Sequence, residues 1–346
     1  MSEAHEAMFW KPLADNRVEC DLCRFHCRIA SGQRGVCGVR ENREGQLVTL
    51  VYGLCVADGA DPIEKKPLYH VLPGSRSYSI ATVGCNFRCL HCQNHQIAQW
   101  PKQGREPIGS YLSPEDVIQR ALASDSRSIA YTYTEPTIFF EYAYDTARLA
   151  KEAGLLNLFV TNGYTTTQAL TAIAPYLDAA NVDLKGFNSK FYREVTGAEL
   201  SEVLETLRDY RRLGIWIEVT TLLIPGHNDD EGELRELAAF IASDLGPQTP
   251  WHVTGFYPTY RMQDVSPTPL RTLQRARQIG LEAGLHYVYT GNRPDDEGMQ
   301  TYCSGCGMPV IRRQGFELLG HSLSNGVCRE CGVAVAGLGV DQIGPA

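Results

Sequence analysis

The sequence lacks a long apolar run and an excess of basic residues. Its 346 residues include no stretch apolar enough to span a bilayer, and no apolar segment with the flanks of a signal peptide. We therefore expect a cytoplasmic protein with no membrane partner. The formal net charge is -8, and no long basic stretch interrupts this acidic balance, so a nucleic-acid partner is not expected either.

Cysteine is the residue present in excess, with twelve copies. Since nothing marks the chain for export, metal binding or redox chemistry explains them better than disulfides. All but one fall into three groups, which are Cys20, Cys23, Cys27 and Cys37; Cys85, Cys89 and Cys92; and Cys303, Cys306, Cys328 and Cys331. The groups of four are typical of closed metal sites and the group of three of an open site. Cys55 stands alone and is most simply a buried apolar residue.

Short apolar runs alternate with amphipathic segments from Ser77 onward. The segment 113–124, for example, opens with a serine cap and a proline and is predicted to be a helix between strands over 77–83 and 128–133. Such alternation implies a parallel sheet with right-handed crossovers. About six units predict an α/β fold built on an open, partial (β/α)6 TIM-like barrel, with a doubly wound sheet as the alternative. In both folds the active site lies at the carboxyl ends of the strands.

Three parts are predicted along the chain. Residues 1–76 form a small, turn-rich, cysteine-rich module with a hairpin strand at 47–53 and an extended connection over 60–75, which contains three prolines. Residues 77–294 form the partial barrel. Residues 295–346, where the alternation of strands and helices stops, form a second cysteine-rich module.

The group of three cysteines forms a CxxxCxxC loop directly after the first predicted barrel strand. Three thiolates can hold three irons of a 4Fe–4S cluster and leave the fourth iron without a protein ligand. The alternative is a zinc site completed by His91 or His95. The motif GCNFRCLHCQN resembles that of the radical S-adenosylmethionine superfamily. This resemblance implies that the open iron binds S-adenosylmethionine, whose reductive cleavage gives a 5′-deoxyadenosyl radical that abstracts hydrogen from a substrate; Phe87 is expected to shield the cluster.

Further candidate residues follow the later strands, and the resemblance implies their roles. Thr134 and Glu135 stand where the superfamily has a Gly-Gly-Glu-Pro-like segment, so Glu135 is expected to receive the amino group of the cofactor; the alternative is an acid that stabilises a helix start. Asp183 and Lys185, two residues apart on one face of a strand, resemble a motif that contacts the methionine moiety in pyruvate formate-lyase-activating enzymes. An ordinary ion pair is the alternative.

Two loops match those activating enzymes less closely. Thr161 and Asn162 are expected to line the pocket, but Val160 replaces an aspartate that helps to bind a monovalent cation in those enzymes, so the cation site is in doubt. His227, in the loop after the fifth predicted strand, is a candidate contact for the ribose or carboxylate of the cofactor. The alternative for His227 is a loop residue without a role.

The two groups of four cysteines differ in spacing. Two Cys-x-x-Cys-Gly segments about twenty residues apart make the C-terminal group a predicted zinc ribbon, with an iron–sulfur cluster as the alternative. The N-terminal group has irregular spacing, which permits either structural zinc or an auxiliary 4Fe–4S cluster that relays electrons.

The chain as a whole resembles the radical S-adenosylmethionine enzyme of the AmmeMemoRadiSam system, through segments such as GVCGVREN, DPIEKKPLYH, YTYTEPTIFFEY, NVDLKGF, PWHV and YTGN. The resemblance implies Memo-type and AMMECR-type proteins as partners, and an electron donor such as flavodoxin or ferredoxin. Three functions remain open: radical modification of a protein or small molecule, activation of a glycyl-radical enzyme, or a zinc-stabilised binding module without enzymatic activity.

Overall fold

A computed structural model describes residues 5–344. The 21 strands within this range are β1 (His5–Glu6), β2 (Trp10–Pro12), β3 (Val18–Cys20), β4 (Cys27–Ile29), β5 (Arg40–Arg43), β6 (Gln46–Thr49), β7 (Leu54–Cys55), β8 (Ala57–Pro62), β9 (Arg76–Ala81), β10 (Ser110–Tyr111), β11 (Ser126–Tyr131), β12 (Leu156–Thr161), β13 (Ala179–Asp183), β14 (Trp216–Leu223), β15 (Trp251–Gly255), β16 (Val288–Gly291), β17 (Thr301–Tyr302), β18 (Pro309–Gln314), β19 (Glu317–His321), β20 (Leu323–Ser324) and β21 (Val327–Cys328).

The α-helices in the same range are α1 (His95–Ala98), α2 (Pro114–Ala123), α3 (Phe140–Glu152), α4 (Thr167–Ile173), α5 (Ser189–Phe191), α6 (Leu200–Arg212), α7 (Glu231–Phe240) and α8 (Leu270–Glu282). Short 3-10 turns cover Ile63–Lys65, Pro101–Gln103, Pro136–Phe139 and Val340–Gln342. Two π-helical turns, Tyr192–Thr196 and Ile241–Leu245, follow α5 and α7. Within 5–344, no helix is long and apolar enough to cross a membrane.

One open sheet of eight strands organises the molecule. Its order is β16-β15-β14-β13-β12-β11-β9-β8, and all neighbours from β9 to β16 are parallel. The parallel strands follow one another in chain order without reversal, whereas a doubly wound sheet reverses its order at a switch point. The predicted open α/β sheet is therefore confirmed, and β16 adds a seventh parallel strand to the six predicted units.

Local sequence signals explain where the helices begin and end. The hydroxyl of Ser113 accepts a hydrogen bond from the backbone N–H of Asp116 at 3.1 Å, and Pro114 takes the first position of α2. Gly154 follows α3 with φ of 76°, a conformation that favours glycine. The helix predicted over 113–124 is thus confirmed, with each end shifted by one residue.

Small sheets build the N-terminal segment and hold it against the main sheet. The order β2-β3-β4 places Cys20 opposite Cys27, and β1-β6-β5 contains the strand predicted near 47–53. The stretch 60–75 is extended only at its start, where β8 pairs antiparallel with β9; a 3-10 turn follows. Because β8 belongs to the main sheet, the N-terminal segment and the sheet share a core. The boundaries 1–76, 77–294 and 295–346 stay predictions.

The C-terminal segment packs at the amino ends of the parallel strands. The backbone N–H groups of Tyr69 and His70 donate to Glu218, the third residue of β14, at 3.0 and 2.8 Å. The His70 ring then bonds the Ala336 carbonyl at 2.6 Å and the Tyr289 hydroxyl at 2.6 Å. The C-terminal cysteines therefore lie at the amino ends of the parallel strands, whereas the CxxxCxxC loop follows the carboxyl end of β9.

Candidate functional site

The CxxxCxxC loop turns sharply after β9 and is fixed by backbone hydrogen bonds. Gly84 has φ of 105°, and a Cβ at this position would lie 2.8 Å from Val39 Cγ1 and 3.2 Å from the Cys37 carbonyl oxygen. Only glycine therefore fits there without strain. Farther along the loop, the N–H groups of Arg88 and Leu90 donate to carbonyls of the segment after α5, both at 2.9 Å. The loop is rigid enough to position side chains.

Three thiols converge in this loop. Cys89 is buried and Cys85 and Cys92 are half-buried, and each thiol is close enough to the other two to affect their pKa values. Among residues 5–344, however, the only set of three or more metal-ligating atoms within 4.8 Å of one another is the C-terminal one. Tetrahedral zinc holds its sulfurs about 3.8 Å apart. The three loop thiols are therefore too far apart to bind one metal ion together. Thiolates that bind three corners of a cubane would lie farther apart still.

Neither histidine of the alternative zinc site completes the group. His91 is buried with Nδ1 unpartnered, and burial lowers its pKa to about 3, an effect increased by the charges of Lys185 and His227. His95 Nδ1 lies 3.1 Å from the Cys92 carbonyl oxygen, and the ring stacks on Tyr260. Within the described chain, no ligand atom of either ring joins a compact metal set.

Two lysines supply positive charge to the loop. Burial raises the pKa of Cys85 and Cys89 to about 12, but the charges of Lys102 and Lys185 act against this rise. Lys102 is held by a 2.6 Å hydrogen bond from Nζ to the carbonyl of Phe87, whose ring is buried beneath the loop. These thiols would ionise only with a strong cation such as iron. Lys102 was missed by sequence reasoning because a lone loop lysine has no distinguishing pattern.

Asp183 and Lys185 point the same way, as predicted, and form an ion pair of 2.9 Å. Burial alone would lower the pKa of Lys185, but the charges of Asp183 and Cys89 more than offset it, so the pKa is raised. The backbone N–H of Lys185 also donates to the buried hydroxyl of Tyr192 at 3.0 Å. A permanently charged lysine thus lies beside the cysteine loop.

Glu135 is buried at the end of β11 and connects β11 to β12. Its Oε1 accepts hydrogen bonds from the backbone N–H and hydroxyl of Thr137 at 3.0 and 2.7 Å, and from the hydroxyl of Thr161 at 2.7 Å. Its Oε2 accepts one bond, from the backbone N–H of Asn162 at 2.8 Å. Burial raises the pKa of Glu135, and these donors oppose the rise. Glu135 therefore caps the following turn, as the alternative expectation had it, while Oε2 keeps room for a further donor. The neighbouring Thr134 is buried and donates to the Thr82 carbonyl at 2.9 Å.

An amide pair connects β12 to the cysteine loop. Asn162 Nδ2 donates to Asn86 Oδ1 at 2.7 Å and lies 3.8 Å from Cys85 Sγ. Asn162 was predicted to line the pocket, and Asn86 was not identified, because a single asparagine inside the motif carries no separate signal. Val160, next to them, is half-buried at the end of β12. The pair gives Cys85 an N–H neighbour, which stabilises negative charge on sulfur.

The loop after β14 places an asparagine, rather than a histidine, at its centre. Asn228 is buried: its Oδ1 accepts from the N–H of Ile224 at 2.6 Å, and its Nδ2 donates to the carbonyls of Lys185 and Leu222 at 2.7 and 2.9 Å. His227 is exposed and lies within electrostatic range of the His91 ring. Asn228 therefore holds the loop against the Asp183–Lys185 segment.

A charged cluster that the sequence did not predict lies beside Thr134. Tyr133 has φ of 64°, and its hydroxyl donates to Asp61 on β8 at 2.6 Å. The buried ammonium of Lys66 also lies 2.6 Å from Asp61. Burial and the Asp61 charge raise the pKa of Tyr133 to about 12, so its hydroxyl keeps its proton. The antiparallel edge strand β8 thereby contributes the Asp61 carboxylate to the surroundings of Tyr133.

The two groups of four cysteines differ in compactness. The C-terminal sulfurs all lie within 4.8 Å of one another, with Cys303 and Cys331 3.4 Å apart and Cys306 and Cys328 3.8 Å apart. The N-terminal group brings Cys20, Cys23 and Cys37 to buried positions, with Cys27 half-buried. Within residues 5–344, no three ligand atoms of the N-terminal group lie within 4.8 Å.

Comparison with known proteins identifies the family. A family model described as the radical SAM superfamily matches residues 79–238, which include the cysteine loop. An uncharacterized protein of Methanocaldococcus jannaschii is 44% identical over 329 residues, which cover 94% of this chain and 97% of that protein. This chain belongs to the radical SAM superfamily.

Other relatives of this radical SAM protein include enzymes. The isethionate sulfite-lyase activating enzyme of Nitratidesulfovibrio vulgaris is 27% identical, over 56% of this chain and 67% of that protein. The crystal structure of a radical SAM methyltransferase from Sphaerobacter thermophilus shares the fold, with a TM-score of 0.50 and 15% identity over 64% of this chain and 68% of that chain. The protein is therefore a radical SAM enzyme, and its family implies a 4Fe–4S cluster and S-adenosylmethionine as cofactors. The wide spacing of the loop thiols and the lysines beside them fit that pair.

Proposed function

We propose that Cys85, Cys89 and Cys92 bind three irons of a 4Fe–4S cluster and leave the fourth iron to S-adenosylmethionine. The observation that carries this proposal is the convergence of three thiols at the carboxyl edge of a parallel sheet, with a spacing wider than one ion requires. Phe87, buried under the loop, excludes water from the cluster. We infer that the seven parallel strands curve into a partial barrel around this site.

The cofactor-binding residues follow from the polar groups around the loop. When bound, the cluster and S-adenosylmethionine supply one-electron cleavage to methionine and a 5′-deoxyadenosyl radical. Lys185, held by Asp183, is positioned to pair with the methionine carboxylate, and Oε2 of Glu135 to accept from its ammonium group. Asn162 orients the Cys85 sulfur. Thr134 fixes the segment that carries Glu135, and His227 is a proposed contact for the ribose or carboxylate.

The proposed substrate is a partner protein from which the radical abstracts hydrogen. A groove of about 960 Å³ borders the cysteine loop at Asn86 and Arg88 and reaches the N-terminal segment at Val36. A groove of this volume lies at the upper end of the range for small-molecule sites and also has room for a short peptide segment. The relative from N. vulgaris is itself named as an activating enzyme of another enzyme. A small-molecule substrate remains the competing possibility that the assay below separates.

The partners that we propose follow from the family resemblance. They are Memo-type and AMMECR-type proteins, as members of an AmmeMemoRadiSam system, together with a flavodoxin or ferredoxin as electron donor. We also propose zinc at the C-terminal cysteines, because sulfur separations of 3.4 and 3.8 Å fit one tetrahedral ion.

The experiment that tests this function is anaerobic reconstitution with iron and sulfide, followed by reduction and measurement of 5′-deoxyadenosine. The wild-type protein is expected to form it, and Cys89→Ala to form none. Cys55→Ala is the matched control, because Cys55 is a buried cysteine outside every group, and it should retain cleavage. Formation of 5′-deoxyadenosine by Cys89→Ala at the wild-type rate would remove the proposed cluster site. Deuterium transfer from labelled candidate partners would identify the hydrogen donor.

Activation of a glycyl-radical enzyme is the second candidate, favoured by the similarity to an activating enzyme. It predicts that a partner protein acquires a stable glycyl radical, visible as an electron paramagnetic resonance doublet, in step with 5′-deoxyadenosine. A modified partner without that doublet supports the first candidate instead.

A further inference from the structure

The four N-terminal cysteines form one group in space although 17 positions separate Cys20 from Cys37. Cys20 and Cys27 are opposite each other on β3 and β4, and all four thiols lie within electrostatic range of one another. Cys23 forms a backbone bridge to Thr165, just beyond the carboxyl end of β12. The group is therefore assembled by the fold and fixed to the active-site edge of the sheet.

The spacing of these sulfurs differs from that of the C-terminal group in the same molecule. The C-terminal sulfurs all lie within 4.8 Å of one another, as one zinc ion requires, whereas no three of the N-terminal sulfurs do so among the described residues. In a cubane cluster each thiolate binds a different iron, so the four sulfurs stand farther apart than around one ion. The wide, convergent arrangement matches the CxxxCxxC loop and not the C-terminal group.

Buried positive charge accompanies the N-terminal group. Arg40, with 2% of its side chain exposed, lies near Cys20 and Cys37, and its charge acts on Cys20. Glu141 lies 3.0 Å from Arg40 Nη1, yet Nε and Nη1 have no hydrogen-bond partner in the described structure. A buried guanidinium with free N–H groups is costly unless negative charge lies beside it. Glu141 supplies one such charge, and cysteine thiolates bound to a metal centre would supply more on the side of Cys20 and Cys37.

The N-terminal group adjoins the CxxxCxxC loop directly. A Cβ on Gly84, the residue before Cys85, would lie 3.2 Å from the Cys37 carbonyl oxygen. The charges of Cys37 and Cys85 both act on the same ammonium, that of the half-buried Lys102. Aromatic rings continue the contact, with Phe25 4.7 Å from Tyr164 and Tyr164 5.2 Å from Phe87 between ring centroids. A redox centre held by these cysteines would be a neighbour of the first cluster.

We propose that Cys20, Cys23, Cys27 and Cys37 bind an auxiliary 4Fe–4S cluster rather than structural zinc. With four thiolates, every iron has a protein ligand, so this cluster binds neither S-adenosylmethionine nor substrate and serves as a one-electron carrier. It accepts one electron from a reduced flavodoxin or ferredoxin and passes that electron on to the neighbouring cluster, so it returns to its oxidised state after each transfer. The inference rests on the proposed function only for the identity of that neighbour.

Metal content of the full chain, reconstituted anaerobically, tests this proposal. The wild-type protein is expected to hold about eight irons and one zinc per chain, and the triple variant C85A/C89A/C92A about four irons and one zinc. The triple variant leaves the N-terminal ligands untouched, so its iron reports on them alone. After reduction, its remaining cluster should give an electron paramagnetic resonance signal that is lost on reoxidation.

Two zincs and no iron in the triple variant would overturn the auxiliary cluster while leaving the proposed function intact. Two zincs and about four irons in the wild-type protein would do the same without any variant. Failure of the proposed function gives a different result, in which the triple variant and the wild type hold equal iron. Cys20→Ser with Cys27→Ser, set against Cys55→Ser, should remove half of the wild-type iron and none of the zinc.

Discussion

Lys102 lies between two groups of cysteines, and its charge reaches both. Lys102 is half-buried and its ammonium donates a 2.6 Å hydrogen bond to the Phe87 carbonyl, while the charges of Cys85 and Cys37 act on it from the two sides. Reduction adds one negative charge to an iron–sulfur cluster, and a nearby cation stabilises the more negative state. Lys102 would therefore favour the reduction of a cluster bound at either group.

We predict that Lys102→Met makes the midpoint potentials of the clusters more negative, by on the order of tens of millivolts. Potentiometric titration followed by electron paramagnetic resonance measures this shift. Lys151→Met is the control, because Lys151 lies on the outer helix α3 and pairs with Asp178 at its surface. Unchanged potentials in Lys102→Met would mean that this ammonium is too well screened to act on iron.

Asn228 shapes the loop beside Lys185, and its replacement tests that role. Asn228→Ala leaves the Ile224 N–H and the carbonyls of Lys185 and Leu222 without their side-chain partner. The expected loss of unfolding free energy is about 2–4 kcal/mol, measured by urea denaturation. Exposed His227 is the neighbouring control, and His227→Ala should change that free energy by less than about 0.5 kcal/mol. Equal losses in both variants would contradict the assigned role of Asn228.

Sequence patterns located the cysteines and the Asp183–Lys185 pair, since metal-ligand spacing and strand alternation are local signals. The same patterns could not locate Asn86, Lys102 or Asn228. Each is a single polar residue whose importance comes from burial against a distant segment, and burial is decided by tertiary packing. Local sequence therefore predicted candidate ligands, and only the fold identified the side chains that hold those ligands in position.

At the scale of elements, the segment 66–72 joins the sheet to the C-terminal segment through a buried histidine. His70 is hydrogen-bonded at both ring nitrogens, to the Ala336 carbonyl and the Tyr289 hydroxyl. Burial lowers the pKa of His70 to about 4, against the opposing charge of Glu218. Because the Ala336 carbonyl accepts a hydrogen bond, Nδ1 of His70 carries the proton. Nε2 then accepts a hydrogen bond from the Tyr289 hydroxyl, and the His70 ring is neutral.

We predict that this histidine makes the fold less stable in mild acid. Between about pH 6.5 and pH 4 the unfolded chain binds a proton that folded His70 does not, so the free energy of unfolding falls as the pH falls, by about 1.4 kcal/mol per pH unit. Urea denaturation at several pH values measures the slope. His70→Gln should flatten it relative to wild type over that interval, and an unaltered slope would show that His70 is not responsible. His91, whose pKa is lowered in the same direction, should account for part of the remaining slope.

Long elements were predictable from sequence and short ones were not. Helices α2 and α3 carry a serine cap, a terminal glycine and apolar residues at helical spacing, so local energetics decide their ends. Strands β1 to β4 have two or three residues each, too few for any periodicity, and they form by pairing with one another or with β6. Strand β8 was interpreted as a connection, because its pairing with β9 is a tertiary contact.

At the scale of the whole molecule, different cysteine groups lie at the two ends of the parallel strands. The CxxxCxxC loop and the N-terminal group lie at the carboxyl ends, and the C-terminal group lies at the amino ends. Arg313, fully buried, connects that C-terminal segment to the sheet by donating to the Tyr69 carbonyl at 2.8 Å. This contact stabilises the packing of the C-terminal segment against the sheet. It takes no part in cofactor chemistry at the carboxyl ends of the strands.

We therefore predict a separation of stability from chemistry. Cys306→Ala should lose the zinc proposed for the C-terminal group and lower Tm by ~5–10 °C, because the Cys303–Cys331 region unfolds and uncovers the amino ends of the strands. Its 5′-deoxyadenosine formation per iron-loaded chain should stay within about twofold of wild type.

Cys92→Ala should show the converse, with zinc retained and cleavage lost. Differential scanning calorimetry, zinc analysis and the cleavage assay on the same samples distinguish the two variants. A Cys306→Ala protein that keeps its Tm but loses cleavage would reverse the assignment, and would place the C-terminal cysteines in the reaction rather than in the support of the sheet.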